Sequence, residues 1–149
     1  METLVLALGN ELMKDDGVGI KVGRILLEKG YNVLEVGTDI FRLSSYYGGE
    51  GRIVIIDAVL SSELEPGEVI HLRGDEIFEK LRGEIRSAHF MGAIDGLRLL
   101  MLLDERLSMV DVHFIGVVVK EIGLGTELSR EVEKGLSKAV ELVEELCKN

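Results

Sequence analysis

Cysteine, proline and tryptophan are nearly absent from this chain of 149 residues, which contains one cysteine, one proline and no tryptophan. The single cysteine, Cys147, excludes an internal disulfide and is typical of proteins of the reducing cytoplasm. One proline leaves no proline-rich linker, and no apolar run approaches the ~20 residues that a membrane span needs. We therefore expect a single cytoplasmic domain, residues 1–149, that does not enter a membrane.

Basic residues are also scarce, because 17 lysines and arginines stand against 27 aspartates and glutamates, for a formal net charge of −10. Nucleic acids and anionic membranes both attract basic surfaces, so this charge argues against either as a partner. Aromatic residues make up only 5% of the chain, which argues against a stacking pocket for a nucleoside or a similar small molecule. The acidic balance favours a cation, or a protein partner with basic segments. We expect the chain to be a monomer.

Hydrophobic periodicity predicts strands that alternate with helices along the chain. The predicted strands are residues 3–8, 33–37, 53–57, 69–72 and 112–119, and the predicted helices are residues 16–29, 39–47, 75–82, 92–103 and 127–147. This alternation is typical of a three-layer α/β/α sandwich around a mostly parallel sheet. Right-handed crossovers place the first strand between the second and the third. The connection after Asp57 is too short for a crossover helix, so the fourth strand is predicted to be antiparallel and at an edge.

The turn after the first strand carries acidic residues where a phosphate-binding turn carries none. Gly9 opens this turn, and Asp15 and Asp16 close it just before the first helix. Carboxylates at such a corner repel phosphate and attract a cation. Asp57 ends the third predicted strand, and ligands of such sheets bind beyond the carboxyl ends of neighbouring strands. We therefore expect Asp16 and Asp57 to share one crevice with a cation between them.

His89 is the third candidate ligand, since it lies in a loop just before a predicted helix. Two carboxylates and one imidazole accept Zn, Ni, Fe or Mn and leave positions for water or substrate. Each residue also has an ordinary interpretation. Asp16 or its neighbour Asp15 is a suitable helix cap, in which case one of them caps and the other binds metal. Asp57 is able to bind loop N–H groups, and a single loop histidine is commonly only a hydrogen-bonding residue.

The sequence lacks the motifs of several other enzyme classes. No G-x-S-x-G elbow, H-E-x-x-H motif, Walker A loop or dinucleotide glycine pattern occurs. His71 and His113 are expected at the opposite end of the sheet from the crevice, and we interpret both as structural. Cys147 lies on the last predicted helix without a histidine or a helix N-terminus to activate it.

The sequence resembles the hydrogenase maturation endopeptidases, which process the large subunit of nickel–iron hydrogenases. The resemblance extends over nearly the whole chain and rests on Gly9-Asn10, Asp15-Asp16-Gly17-Val18-Gly19, Val54-Ile55-Ile56-Asp57-Ala58, Pro66-Gly67-Glu68 and His89. It implies a five-stranded mixed sheet of order 2-1-3-5-4 with strand four antiparallel. It also implies a metal-dependent endopeptidase that removes the C-terminal extension of a nickel-loaded precursor.

In that family the residues matching Asp16, Asp57 and His89 contact the metal, so the resemblance assigns these three to metal binding and catalysis. The nickel is carried by the substrate, and other divalent ions are expected to substitute in vitro. The family often has Asp-Gly-Gly-Thr after the second strand, where this chain has Glu35-Val36-Gly37-Thr38. Gly37 and Thr38 match and are expected to contact the substrate. Val36 does not readily adopt a positive φ, so the loop is expected to differ in shape.

Two rival functions use the same residues. A nickel-binding chaperone or checkpoint module would sense a loaded precursor with these ligands but would not cut it. A receiver-like Mg²⁺-binding domain would combine Asp15, Asp16 and Asp57 with a lysine after the last strand, where Lys120 stands. Processing of a precursor distinguishes the endopeptidase from both alternatives.

Overall fold

The computed structural model describes residues 1–81, 85–87 and 90–148, and the side chains of these residues except 87, 90–92 and 94. The strands are β1 Thr3–Leu8, β2 Val33–Gly37, β3 Arg52–Ser61, β4 Val69–Arg73, β5 Ile85–Ser87 and β6 Asp111–Val118. The helices are α1 Val18–Glu28, α2 Arg42–Tyr46, α3 Asp75–Lys80, α4 Phe90–Leu103, α5 Glu105–Ser108 and α6 Arg130–Lys148. A 3₁₀ turn, Lys14–Gly17, leads into α1.

The sheet has the order β2-β1-β3-β6-β4, and β5 pairs with β3 outside this path. β1 is parallel to β2 and β3, and β3 is parallel to β6, whereas β4 runs antiparallel to β6 at the edge. Because β6 is the fifth of the predicted strands, the predicted order 2-1-3-5-4 with an antiparallel edge strand is confirmed. The chain winds in one direction to β2 and in the other to β3, so the switch point lies between β1 and β3.

Alternating side chains of the sheet face two helical layers. On β3, Ile53, Ile55 and Val59 belong to one apolar cluster and Val54, Ile56 and Ala58 to the other. The first cluster includes residues of α2, α3, α4 and α5, and the second includes residues of α1 and α6. Strands buried on both faces are why the sequence shows continuous apolar runs rather than alternation. Within the described part of the chain, every helix is too short or too polar to span a bilayer.

The main differences from the sequence-based predictions are two element boundaries and two short elements. β3 continues to Ser61 instead of ending at Asp57, because it gains pairing to β6 through Val59↔Val118 and to β5 through Ser61↔Ile85. The first helix begins at Val18, since the preceding residues form the 3₁₀ turn. β5 and α5 were not predicted, because three or four residues are too few to show a period.

A polar network closes the amino end of the sheet, opposite the switch point. Asp111 accepts hydrogen bonds from Arg52 Nε at 2.8 Å and from Arg73 Nε at 3.0 Å. His113 Nε2 lies 2.9 Å from the same carboxylate, and its Nδ1 lies 2.8 Å from His71 Nε2. The predicted position of the two histidines at the far end of the sheet is confirmed, and they link the edge strand β4 to β6. Burial opposes ionisation of Asp111, but hydrogen bonds from Arg52, His113 and Arg73 outweigh it and hold the pKa of this carboxyl well below its usual range.

We expect Asp111→Asn to lower the free energy of unfolding by about 3 kcal/mol at pH 7, because Arg52 loses its counter-charge in a half-buried site. A lowered carboxyl pKa stabilises the fold above the unfolded value of about 3.9, and the contribution is lost as the pH falls through the folded value. The difference from wild type should therefore shrink in acid. Guanidinium unfolding at pH 7 and at about pH 2 measures it, with exposed Asp75→Asn as the control. A difference independent of pH would contradict the assignment.

Candidate active site

The start of α1 lies directly over the ends of two strands. A Cβ on Gly19 would come within 2.3 Å of the Leu8 carbonyl oxygen and 2.7 Å of the Ile56 carbonyl oxygen, so only glycine permits this approach. The close contact ties α1 to β1 and β3 at the switch point. It also places the preceding 3₁₀ turn, which contains Asp16, against β3.

Asp16 is held inside the turn that follows β1. Its side chain is buried, and its Oδ2 accepts a hydrogen bond from the Asn10 backbone N–H at 3.2 Å. Gly9 has a φ of 125°, and a Cβ there would lie 2.2 Å from the Asp16 carbonyl oxygen. The Gly9-Asn10 pair therefore lets the turn close around Asp16. The N-cap residue of α1 is Gly17, which has no side chain to form a cap bond.

Asp57 lies within β3 rather than at its end, so the prediction of a strand-end aspartate was wrong. It pairs with Gly116 of β6 because the ladder continues past it. Asp57 nevertheless lies at the predicted edge of the crevice, since Ala7 pairs with Ile56 and β1 ends one residue later at Leu8. The carboxylate is fully buried, and its Oδ1 accepts from the Ala58 N–H at 2.8 Å. The structure thus brings Asp16 and Asp57 to one switch point.

Asp15 has a different role from its neighbour. Its buried carboxylate accepts hydrogen bonds from the backbone N–H groups of Lys120, Glu121 and Ser129 at 2.7 to 2.9 Å, and from the Ser129 hydroxyl at 2.9 Å. Burial opposes ionisation, yet the bonds from Glu121, Ser129 and Lys120 outweigh it and lower the pKa of Asp15. Asp15 therefore anchors the turn to the segment after β6, and Asp16 is the acid of the pair that bonds the Gly9-Asn10 turn.

His89, the third predicted ligand, lies outside the described residues. The described pairing of β3 with β5 includes Val59↔Ser87. Val59 is two residues from Asp57 along β3, and Ser87 is two residues before His89 in the sequence. Among the side chains that the structure describes, no three histidines, cysteines or acids form a group able to hold a metal ion. Of the three predicted ligands, the described side chains therefore include Asp16 and Asp57.

A crevice of about 300 Å³ opens beside Asp16, and Gly37 and Thr38, the predicted substrate-contacting residues, line it. Gly37 has a φ of 66°, and the register between β1 and β2 shifts between Ala7↔Glu35 and Leu8↔Gly37. The loop thus places its positive φ at Gly37 and leaves buried Val36 as the extra residue of an irregular pair. Glu11, an acid of the predicted turn, lines the same crevice, and sequence analysis missed the two arginines beside it, Arg24 and Arg42.

Glu35, which stands where the family often has aspartate, is engaged by an arginine. Arg24 Nε donates to Glu35 Oε1 at 2.9 Å, and Arg24 also bonds Glu11 through both terminal nitrogens. Hydrogen bonds with Glu11 and then Glu35 raise the pKa of Arg24, so it remains charged. The sequence does not identify which basic residue of the first helix, Lys21 or Arg24, pairs with these carboxylates.

Lys120, which the receiver-like alternative requires near the acids, forms a different ion pair. Its Nζ lies 2.7 Å from Glu131 Oε2 on α6, and this hydrogen bond raises the pKa of Lys120. Its backbone N–H, not its ammonium group, contacts Asp15. With Asp15 committed to backbone donors and Lys120 committed to α6, the acidic pocket of a receiver domain is not formed.

Comparison with known proteins decides the family. The model of HycI, hydrogenase maturation protease, matches residues 20–146. The chain belongs to the hydrogenase maturation protease family. The resemblance noted from its sequence motifs is thereby confirmed.

Several known proteins are similar to this chain over nearly their full length. Protein FrxA of Pyrococcus furiosus is 55% identical over 131 residues, which cover 88% of this chain and 94% of the relative. The hydrogenase 2 maturation protease of Escherichia coli is 27% identical over 148 residues, which cover 96% of this chain and 88% of the relative. Among solved structures, the [NiFe] hydrogenase maturation protease HybD from Thermococcus kodakarensis superimposes with a TM-score of 0.96 at 71% identity, covering 99% of both chains.

Proposed function

We propose that this chain is an endopeptidase that removes the C-terminal extension of a nickel-loaded nickel–iron hydrogenase large-subunit precursor. Asp16, Asp57 and His89 complete the coordination of nickel that the precursor carries, and Gly37 and Thr38 contact the precursor beside the scissile bond. The proposal is carried by one observation: two buried carboxylates, one in the turn after β1 and one on β3, lie at one switch point. Asn10, whose backbone N–H bonds Asp16, lines an open crevice there. Membership of the protease family supports the reaction class.

The chemistry follows from the types of residue at the site. Two carboxylates held at one edge disfavour each other's ionised form unless a cation lies near both. A bound nickel ion polarises the scissile carbonyl or a water molecule. Asp57 or Asp16 serves as the general base if the water is activated by the protein. Oxygen and imidazole donors without a thiolate hold nickel weakly, so the metal arrives with the substrate and identifies the loaded precursor.

Composition supports the rest of the proposal. A net charge of −10 disfavours nucleic acid as a partner, and a single cysteine suits a reducing cytoplasm. We therefore place the protein in the cytoplasm, as a monomer that meets its precursor before the hydrogenase is complete. Other divalent ions are expected to replace nickel only in isolated protein.

We expect Asp57→Asn and Asp16→Asn each to lower the rate of precursor cleavage by about 100-fold or more, because each removes a charge that holds the metal or takes the proton. Cleavage is measured by gel shift and mass spectrometry of the shortened precursor, with and without nickel. Asp75→Asn is the matched control, since Asp75 is exposed at the first turn of α3. Thermal melts establish that all variants are folded.

The outcomes separate the endopeptidase from the checkpoint module. A wild-type protein that binds loaded precursor and leaves it full-length would favour the checkpoint module. Cleavage that is equally fast in Asp57→Asn would overturn the assigned site but not the activity. Cleavage without nickel at the same rate would overturn the proposed role of the metal.

A further inference from the structure

The charges of the crevice beside Asp16 are divided unequally between its two arginines. Arg24 lies between Glu11 and Glu35 and bonds both carboxylates, and its hydrogen bond and charge lower the pKa of Glu11. These three side chains satisfy one another. Arg42, on the same crevice, contacts no carboxylate among the residues that the structure describes.

Arg42 is anchored but not neutralised. Its Nη1 donates to the Glu35 backbone carbonyl oxygen at 2.6 Å, which fixes one end of the guanidinium group. A backbone carbonyl carries no net charge, so the positive charge of Arg42 keeps its attraction for an anion. In a chain with 27 acidic and 17 basic residues, an arginine held at a crevice without an acidic partner is available to a ligand.

Two further donors line the crevice with Arg42. Within the described part of the chain, neither the Thr38 hydroxyl nor the Asn10 side-chain NH₂ donates to a protein atom, whereas Asn10 Oδ1 accepts from the Leu12 N–H at 3.0 Å. A guanidinium, a hydroxyl and an amide thus face about 300 Å³ of open space, the small end of the range for ligand sites. Donors of these kinds bind a carboxylate, and arginine does so with two parallel bonds.

From these contacts we infer that the crevice is a carboxylate-binding subsite for the substrate and that Arg42 determines its specificity. The inference rests on the proposed function. Asn10 also donates its backbone N–H to Asp16 Oδ2, so a group bound in the crevice lies next to the proposed cleavage site. The carboxylate comes from the C-terminal extension that the protein removes from its precursor. Its source is either an acidic side chain or the free C-terminus of the extension.

Kinetics of precursor cleavage test the role of Arg42. Arg42→Gln is expected to raise KM about tenfold with little change in kcat, because a charged hydrogen-bonded contact is lost from substrate binding. Arg42→Lys should recover part of this loss, since it keeps the charge but not the paired geometry. Arg130→Gln is the control, because Arg130 is exposed at the start of α6. An equal KM for wild type and Arg42→Gln would overturn the inference while leaving the peptidase activity intact.

Altered substrates identify the source of the carboxylate. One precursor carries amides in place of the acidic side chains of the extension, and another carries a C-terminal amide. The substrate that lacks the recognised carboxylate should raise KM for wild type about tenfold and leave KM for Arg42→Gln unchanged. Wild type that treats all three substrates alike would overturn the inference.

Direct binding keeps the test independent of cleavage. A fluorescently labelled synthetic extension should bind wild type more tightly than Arg42→Gln by about tenfold in fluorescence anisotropy, and amidation of the recognised carboxylate should abolish this difference. Equal affinities for the two proteins would contradict the subsite. Binding that depends on Arg42 in a protein that never cleaves would instead support the subsite and overturn the peptidase activity.

Discussion

A single methyl group at position 19 is expected to destabilise the protein by about 3 kcal/mol or more. In Gly19→Ala the new Cβ would meet the carbonyl oxygens of Leu8 and Ile56 at 2.3 and 2.7 Å, and both are backbone atoms of buried strands. Neither oxygen moves without distorting β1 or β3, so α1 must shift outward. The cost exceeds the gain of about 1 kcal/mol that alanine brings to a helix. Guanidinium unfolding at pH 7 measures the loss.

The shift of α1 should also be seen in activity, because Asp16 lies three residues before Gly19. We expect cleavage of the precursor to fall even at temperatures where Gly19→Ala remains folded. Gly123→Ala is the matched control, since a Cβ there meets nothing within 4 Å. Wild-type stability in Gly19→Ala would show that the strand ends yield more easily than their pairing suggests.

The course of the chain through the sheet could be predicted where strands are long and buried on both faces. β1 and the residues Ile53–Ile56 of β3 appear in the sequence as continuous apolar runs. The edge strand β2 was predicted with the bounds it has, Val33–Gly37. The place of β4 beside β6 came from the family resemblance, because no local pattern states which strand an edge strand joins. β5 has three residues, and a period of two does not show in so short a segment.

The candidate site was predictable as far as topology determines it. Parallel strand ends meet at one edge, so Asp16 and Asp57 were expected together, and they lie there although β3 runs past Asp57. Their neighbours depend on distant side chains. Arg24 bonds Glu11 and Glu35 because α1 packs beside β2. The spacing of these residues in the sequence does not predict that packing.

The different roles of Asp15 and Asp16 were likewise not predictable from the sequence. Either residue suits a helix cap, and adjacent carboxylates look alike in a sequence. Their roles are set by donors more than 100 residues away, at Lys120, Glu121 and Ser129, which arrive only when β6 is in place. A long-range backbone contact therefore decides which of the two acids remains at the crevice.

Asp15→Asn is expected to cost about 3 kcal/mol of unfolding free energy at neutral pH, because hydrogen bonds to a buried charge are strong and an amide accepts through one oxygen only. The NH₂ group of the asparagine would face backbone N–H donors, which the substitution deprives of an acceptor. The pKa of Asp15 is lowered in the folded state, so its contribution is present above the unfolded value of about 3.9 and is lost as the pH falls through the folded value. Urea unfolding at pH 7 and at about pH 2 should show the gap between variant and wild type closing in acid.

Two further variants grade this effect. Ser129→Ala removes the hydroxyl bond to Asp15 and the longer bond from the Val132 N–H at 3.4 Å, but it keeps the Ser129 backbone N–H on Asp15. It should cost about 1 to 2 kcal/mol. Asp95→Asn changes the same functional group on an exposed position of α4 and should stay within about 0.5 kcal/mol of wild type. If Asp15→Asn cost no more than Ser129→Ala, the backbone N–H groups after β6 would have found other acceptors. Asp15 would then not be the residue that holds the Asp16 turn against that segment.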